Sequence, residues 1–181
     1  MTTQELQKLK YPIGEFELPK TITPDLLETW ITDIETLPQS LEALIKNLNE
    51  AELNYPYRPE GWSIKQVAHH YADSHMNSII RFKWALTEDT PTIKFYYEDR
   101  WANLIDYNQP IDSAISIIKG IHAKLGILLR NLSSEDLKRE FIHPEHGKRF
   151  SLEETIGVYA WHSNHHLTHI EQALKFKGKF N

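Results

Sequence analysis

The sequence predicts an all-α fold, a four-helix bundle with long aromatic loops over one end. Three observations lead there: four long segments with helical apolar spacing, two capping boxes, and almost no strand-like alternation. The first helix opens at Thr23-Pro24, a capping threonine followed by proline at the first helical position. It runs to about Leu48, with a break expected near Pro38. The second begins at the capping box Ser63-Ile64-Lys65-Gln66 and continues through Ala68, Ala72, Ile79 and Phe82 to Leu86. The third covers roughly Ile111 to Leu132, with Ile115, Ile118, Ile121, Leu125 and Leu129 in phase. The fourth starts at a second box, Ser151-Leu152-Glu153-Glu154, and reaches about Lys175. Ser133 to Glu140 has the makings of a short helix.

Two connections stand out. Thr87 to Gln109 carries Ile93, Phe95, Tyr96, Tyr97 and Trp101, too apolar for a solvated linker. A loop of that length in a compact domain is often a binding loop, so part of Thr87 to Trp101 is expected to border the functional cleft; the alternative is a loop packed over one end of the bundle, its aromatics buried against the bundle or a dimer partner. The aromatic connection Tyr55 to Trp62 is expected at the same mouth. Phe141 to Phe150 reads as a loop.

At 181 residues the chain fits one domain, residues 1–181, large enough to bury a core unaided. It has no cysteine, so disulfides, thiolate metal sites and a protein thiol nucleophile are excluded. Met1 to Lys10 lacks the apolar stretch of a signal peptide, and no run approaches a membrane span; cytoplasmic residence is the expectation. A net charge of −5 without a basic cluster argues against nucleic acid.

The chemistry lies in the histidines. Seven of the ten fall in two helical segments: His69, His70 and His75 in one, His162, His165, His166 and His169 in the other. Imidazoles four apart on a helix stack one turn above the other and can grip one cation. A third from a facing helix completes three neutral nitrogen ligands with one open position, the arrangement of a catalytic zinc. In the fourth helix Leu152, Ile156, Ala160, Leu167, Ile170 and Leu174 define the apolar stripe. His162 and His166 lie at its border, His165 points away and His169 lies just beyond. In the second helix His69 lies at the border and His70 points outward. Asp73, one turn beyond His69, can orient an imidazole or accept a proton. His75 falls inside the stripe as a core histidine, whereas His122, His143 and His146 read as ordinary surface or loop residues. A lone pair at four-residue spacing is more often a solvated face; two dense clusters yielding one consistent trio favour a metal.

The blocks Tyr11-Pro12-Ile13-Gly14, Arg58 to Ser63, His69-His70, Asp73 to Asn77, Arg81-Phe82-Lys83, Leu86 to Ile93, Trp101-Ala102, His143-Pro144 and Tyr159 to Ile170 resemble the YfiT branch of the DinB-like metalloprotein superfamily. They run in order along nearly the whole chain after Tyr11. Glu60 departs from the pattern, standing where the family often has a second glycine before Gly61. The resemblance implies a four-helix bundle, a homodimer and one divalent metal per chain, zinc or else nickel. Carried over by position, its ligands fall on His69, His162 and His166. It further implies a metal-dependent hydrolase acting on a small-molecule substrate. Related branches are thiol S-transferases that use a low-molecular-weight thiol, and a non-catalytic metal-binding dimer is a third reading. Asp73 and His169 are the expected catalytic or orienting side chains.

Overall fold

The computed structural model describes residues 1–145 and 147–180. Four long helices form the bundle: α2 (Pro24–Ile45), α4 (Ile64–Thr87), α6 (Asp112–Arg130) and α7 (Leu152–Phe176). Around the bundle α2 touches α6 and α7, and α4 touches the same two. Helices α2 and α4 therefore sit on one diagonal, α6 and α7 on the other. Shorter pieces decorate this frame: α1 (Thr3–Lys10), α3 (Glu50–Leu53), α5 (Glu98–Trp101), and 3₁₀ turns at Ile105–Asn108 and Asp136–Lys138.

The caps read from sequence set the helix starts. Thr23 Oγ1 accepts from the Leu26 amide ahead of Pro24, and Ser63 and Ser151 close reciprocal boxes with Gln66 and Glu154. The break expected at Pro38 does not occur. Proline removes the amide that would bond the Ile34 carbonyl, and the buried side chain of His122 supplies that bond instead, at 2.6 Å from Nδ1. His122, expected at the surface, is thus a core residue with 3% exposure.

Phe141 to Phe150 is not a plain loop. Strands β1 (Glu140–His143) and β2 (Lys148–Ser151) pair antiparallel, with Phe141 opposite Phe150. The hairpin anchors the Thr87–Gln109 connection, because the Ile93 amide donates to the Ile142 carbonyl and the Ile142 amide to Pro91. This connection is fixed to the fold at Ile93, which is buried beside Phe82 and Phe141. No helix among the described residues is long and apolar enough to cross a membrane.

The apolar core has two lobes along the bundle. One gathers Leu37, Leu41, Val67, Ile118 and Ile170; the other gathers Ile34, Phe82, Leu125, Leu152 and Ile156. Histidines fill the space between α4 and α7.

Candidate metal centre

His162 and His166 stand one turn apart on α7, facing α4, and their rings meet edge to face at 4.6 Å. Opposite them stands His70. Its Nε2 lies 3.0 Å from Nε2 of His162, and one nitrogen from each of the three rings falls within 4.8 Å of the others. Nitrogens bound at 2.0–2.1 Å in a tetrahedron lie about 3.4 Å apart, so this trio is close to the spacing a single cation imposes. Two facing imidazole nitrogens need a proton or a cation between them. Burial, reinforced by neighbouring imidazoles, lowers the pKa of His70 to about 4 and holds His162 and His166 well below the usual histidine value. All three are therefore neutral at neutral pH, the state a metal ligand needs.

The far nitrogen of His166 settles its tautomer. His166 Nδ1 lies 3.2 Å from Nδ1 of His169, whose Nε2–H donates to the Lys10 carbonyl at 3.1 Å. That carbonyl can only accept, so His169 Nδ1 is the acceptor and His166 Nδ1 carries the proton. His166 is left to offer Nε2 to the centre. Tyr57 stacks flat on His169 at 3.7 Å. His162 Nδ1 faces Nε2 of buried His75 at 3.3 Å, so His75 touches the site as well. His70 has no such brace among the described residues: its Nδ1 is buried there without a partner, and the ring of Trp62 packs on it at 4.8 Å.

Three sequence expectations need correction. His69 is not in the trio; one residue before His70 and so about 100° round the axis of α4, it faces the adjoining side, where its Nε2–H donates to the Gln109 carbonyl at 3.2 Å. Asp73 sits there too, accepting from the Tyr107 hydroxyl at 2.7 Å, and so cannot orient the clustered imidazoles. Burial raises the pKa of Asp73, and the Tyr107 hydrogen bond opposes the rise. The reason for both misplacements is the wheel. The wall of α4 facing α7 is polar, with His70 and Ser74 lining the cleft, so the apolar stripe marked the wrong side. His165, expected to point away, is 6% exposed; Trp161 stacks on it at 4.4 Å and Tyr11 packs against it at 5.8 Å. The polar N-terminus gave no sign that it would fold back as a helix over α7. His143 lies on β1 at the cleft wall, and His146 is outside the described residues.

The cleft over the trio has a volume of about 460 Å³. Phe95, Tyr96 and Glu98 from the long connection line it, as do Tyr57 and Trp62 from the other, so both aromatic segments border the histidines. Glu60 takes a left-handed conformation with φ of 56°, which explains why glycine suits this position in the Arg58–Trp62 turn.

Comparison with known proteins agrees with this picture. Residues 33–170 match the family model described as the DinB superfamily. A protein of Oceanobacillus iheyensis named "Putative metal-dependent hydrolase OB0782" is 48% identical over 168 residues, 93% of this chain and 97% of that one. A similarly named protein of Bacillus cereus is 46% identical over 94% of this chain and 98% of its own. The solved structure of YfiT from Bacillus subtilis, described as having "an unusual four-helix bundle topology", superposes with a TM-score of 0.91 at 38% identity. That match covers 96% of this chain and 99% of the other. The mycothiol-dependent maleylpyruvate isomerase shares the fold at a TM-score of 0.57 and 17% identity, over 77% of this chain and 60% of its own. A chain with this histidine-lined bundle and these relatives belongs to the DinB superfamily, as a YfiT-like protein.

Proposed function

We propose that this protein is a metal-dependent hydrolase in which His70, His162 and His166 hold one divalent ion, zinc or alternatively nickel. The observation that carries the reading is the 3.0 Å approach of two imidazole nitrogens, His70 Nε2 and His162 Nε2, in a buried cluster of neutral rings open to a cleft. Three neutral ligands leave the full charge on the ion, which when bound lowers the pKa of coordinated water toward about 7. The chain's own residues do the rest. His169 holds the His166 ring through Nδ1, and His75 meets the far nitrogen of His162. Trp62, Phe95 and Tyr96 wall the cleft against bulk water. The substrate is a small molecule. A homodimer, which the family resemblance implies, is part of the same proposal, and sedimentation of the metal-loaded form checks it.

Thiol S-transfer is the second reading. The chain has no cysteine, so a reacting thiol must come from outside, and a cleft of about 460 Å³ has room for one beside an apolar substrate. Metal analysis of the purified protein followed by an activity screen separates the readings. The zinc-loaded form is assayed on ester and amide panels, then on electrophiles with and without low-molecular-weight thiols. Zinc-dependent turnover without thiol supports hydrolysis, and turnover only with thiol replaces it by S-transfer. Protein that binds no metal at neutral pH contradicts both.

A further inference from the structure

Arg81 lies on α4 and lines the same cleft as the histidine trio. Its Nη1 donates to the Tyr159 hydroxyl at 3.0 Å, and Tyr159 precedes His162 by three residues on α7, about 4.5 Å of axial rise. The guanidinium carries five donors in a planar fork. Nε–H is sealed from solvent and has no partner among the described residues. No carboxylate among the described residues comes within 4.0 Å of this side chain. The other charged groups lining the cleft, Lys10, Glu98 and Glu145, are exposed at its edge, where water screens them. Arg81 is different: it is half-buried, it is held by a tyrosine rather than an acid, and its charge reaches His162.

A partly desolvated cation without a counter-charge is costly, and proteins keep one where a ligand supplies the missing anion. The cleft walls beside it are aromatic: Phe95, Tyr96, Phe141 and Phe150. We infer that Arg81 is the receptor for a carboxylate of the substrate, and that the substrate is an apolar or aromatic carboxylic acid whose reacting bond lies over the histidine trio. A carboxylate matches the fork in bidentate fashion. This deepens the hydrolase reading and rests on the same cleft being the substrate site.

The test is calorimetric binding of matched pairs, benzoate with benzamide and 3-phenylpropanoate with 3-phenylpropanamide, which differ in charge and little in shape. Titrations use zinc-loaded protein, protein stripped with a chelator, and the variants R81Q and R81K. The expected result is a carboxylate preference of roughly tenfold or more, as for a charged hydrogen-bonded pair, in both metal states. R81Q removes the preference and R81K, which keeps the charge, retains part of it. R81Q should bind zinc at least as tightly as wild type, because a positive charge near His162 is gone. Failure of zinc binding in the wild type would sink the hydrolase reading and leave the anion site standing. The inference is overturned if no acid outbinds its amide, including when neither binds. It is equally overturned if the preference survives R81Q in either metal state, or is lost equally in R81Q and R81K.

Discussion

His122 donates from Nδ1 to the carbonyl oxygen of Ile34 at 2.6 Å, across the interface of α6 and α2. That acceptor is open because residue 38, four positions on, is proline, and α2 continues unbroken through it. The other face of His122 stacks on His75 at 4.7 Å, and His75 in turn meets His162. A helix irregularity in α2 is thereby packed directly behind the candidate metal centre.

His122→Ala should destabilise the protein by roughly 2–4 kcal/mol, from an orphaned carbonyl plus a cavity. In a Pro38→Ala background the restored amide can bond Ile34 itself, so the same change should cost about 1 kcal/mol less. Urea unfolding of the four proteins in the cycle measures this coupling, and strict additivity would refute it.

Acid sensitivity follows from the same residue. Burial lowers the pKa of His122 to about 4, although its bond to Ile34 pulls the other way. Its folded value lies below the unfolded value of about 6.5. The unfolded chain therefore binds more protons between these limits. The contribution is complete above about pH 6.5 and is lost as pH falls toward 4, at up to about 1.4 kcal/mol per pH unit for this one group. Metal-free protein should show this fall in urea titrations, with a shallower slope in His122→Gln. A stability flat from pH 7 to pH 5 would contradict it.

Glu60 holds a backbone conformation that costs a side-chain-bearing residue about 1–2 kcal/mol. Glycine removes that cost but loosens the unfolded chain by about 0.4–1 kcal/mol. Glu60→Gly should therefore raise the unfolding midpoint slightly, a net gain of roughly 0.5–1 kcal/mol. A lower midpoint would show that Glu60 makes a compensating contact.

His169→Ala should leave the fold intact but free the His166 ring, weakening zinc affinity by roughly 10–100-fold, the usual cost of losing an outer partner. Competition with a chromophoric chelator reads it. Unchanged affinity would mean that Trp62 and the α7 backbone alone orient His166.

Much of this was legible in the chain, for identifiable reasons. Capping boxes at Ser63 and Ser151 and the apolar phase of four segments gave the bundle, because local hydrogen bonding and burial period act within a few residues. The pair His162 and His166 was legible because α7 has a polar stripe beside a well-formed apolar one. His70 was not, since the cleft wall of α4 is polar while the adjoining face that carries His69 is covered by Tyr107 and Gln109, and hydrophobicity then points away from the site. The continuity of α2 through Pro38 depends on His122, a partner 84 residues further along the chain, and no local signal carries that. The β-hairpin was hidden for a similar reason: Phe141 and Phe150 mark their pairing only once the strands face each other.

The central claim is the identity of the third ligand. Zinc affinity should be measured by competition for wild type and for His69→Ala, His70→Ala, His162→Ala and His166→Ala, with folding checked by circular dichroism. His70→Ala, His162→Ala and His166→Ala should each lose more than roughly 100-fold in affinity, beyond the cost of any outer partner, while His69→Ala stays near wild type. Retention of zinc by His70→Ala together with its loss from His69→Ala would contradict the account.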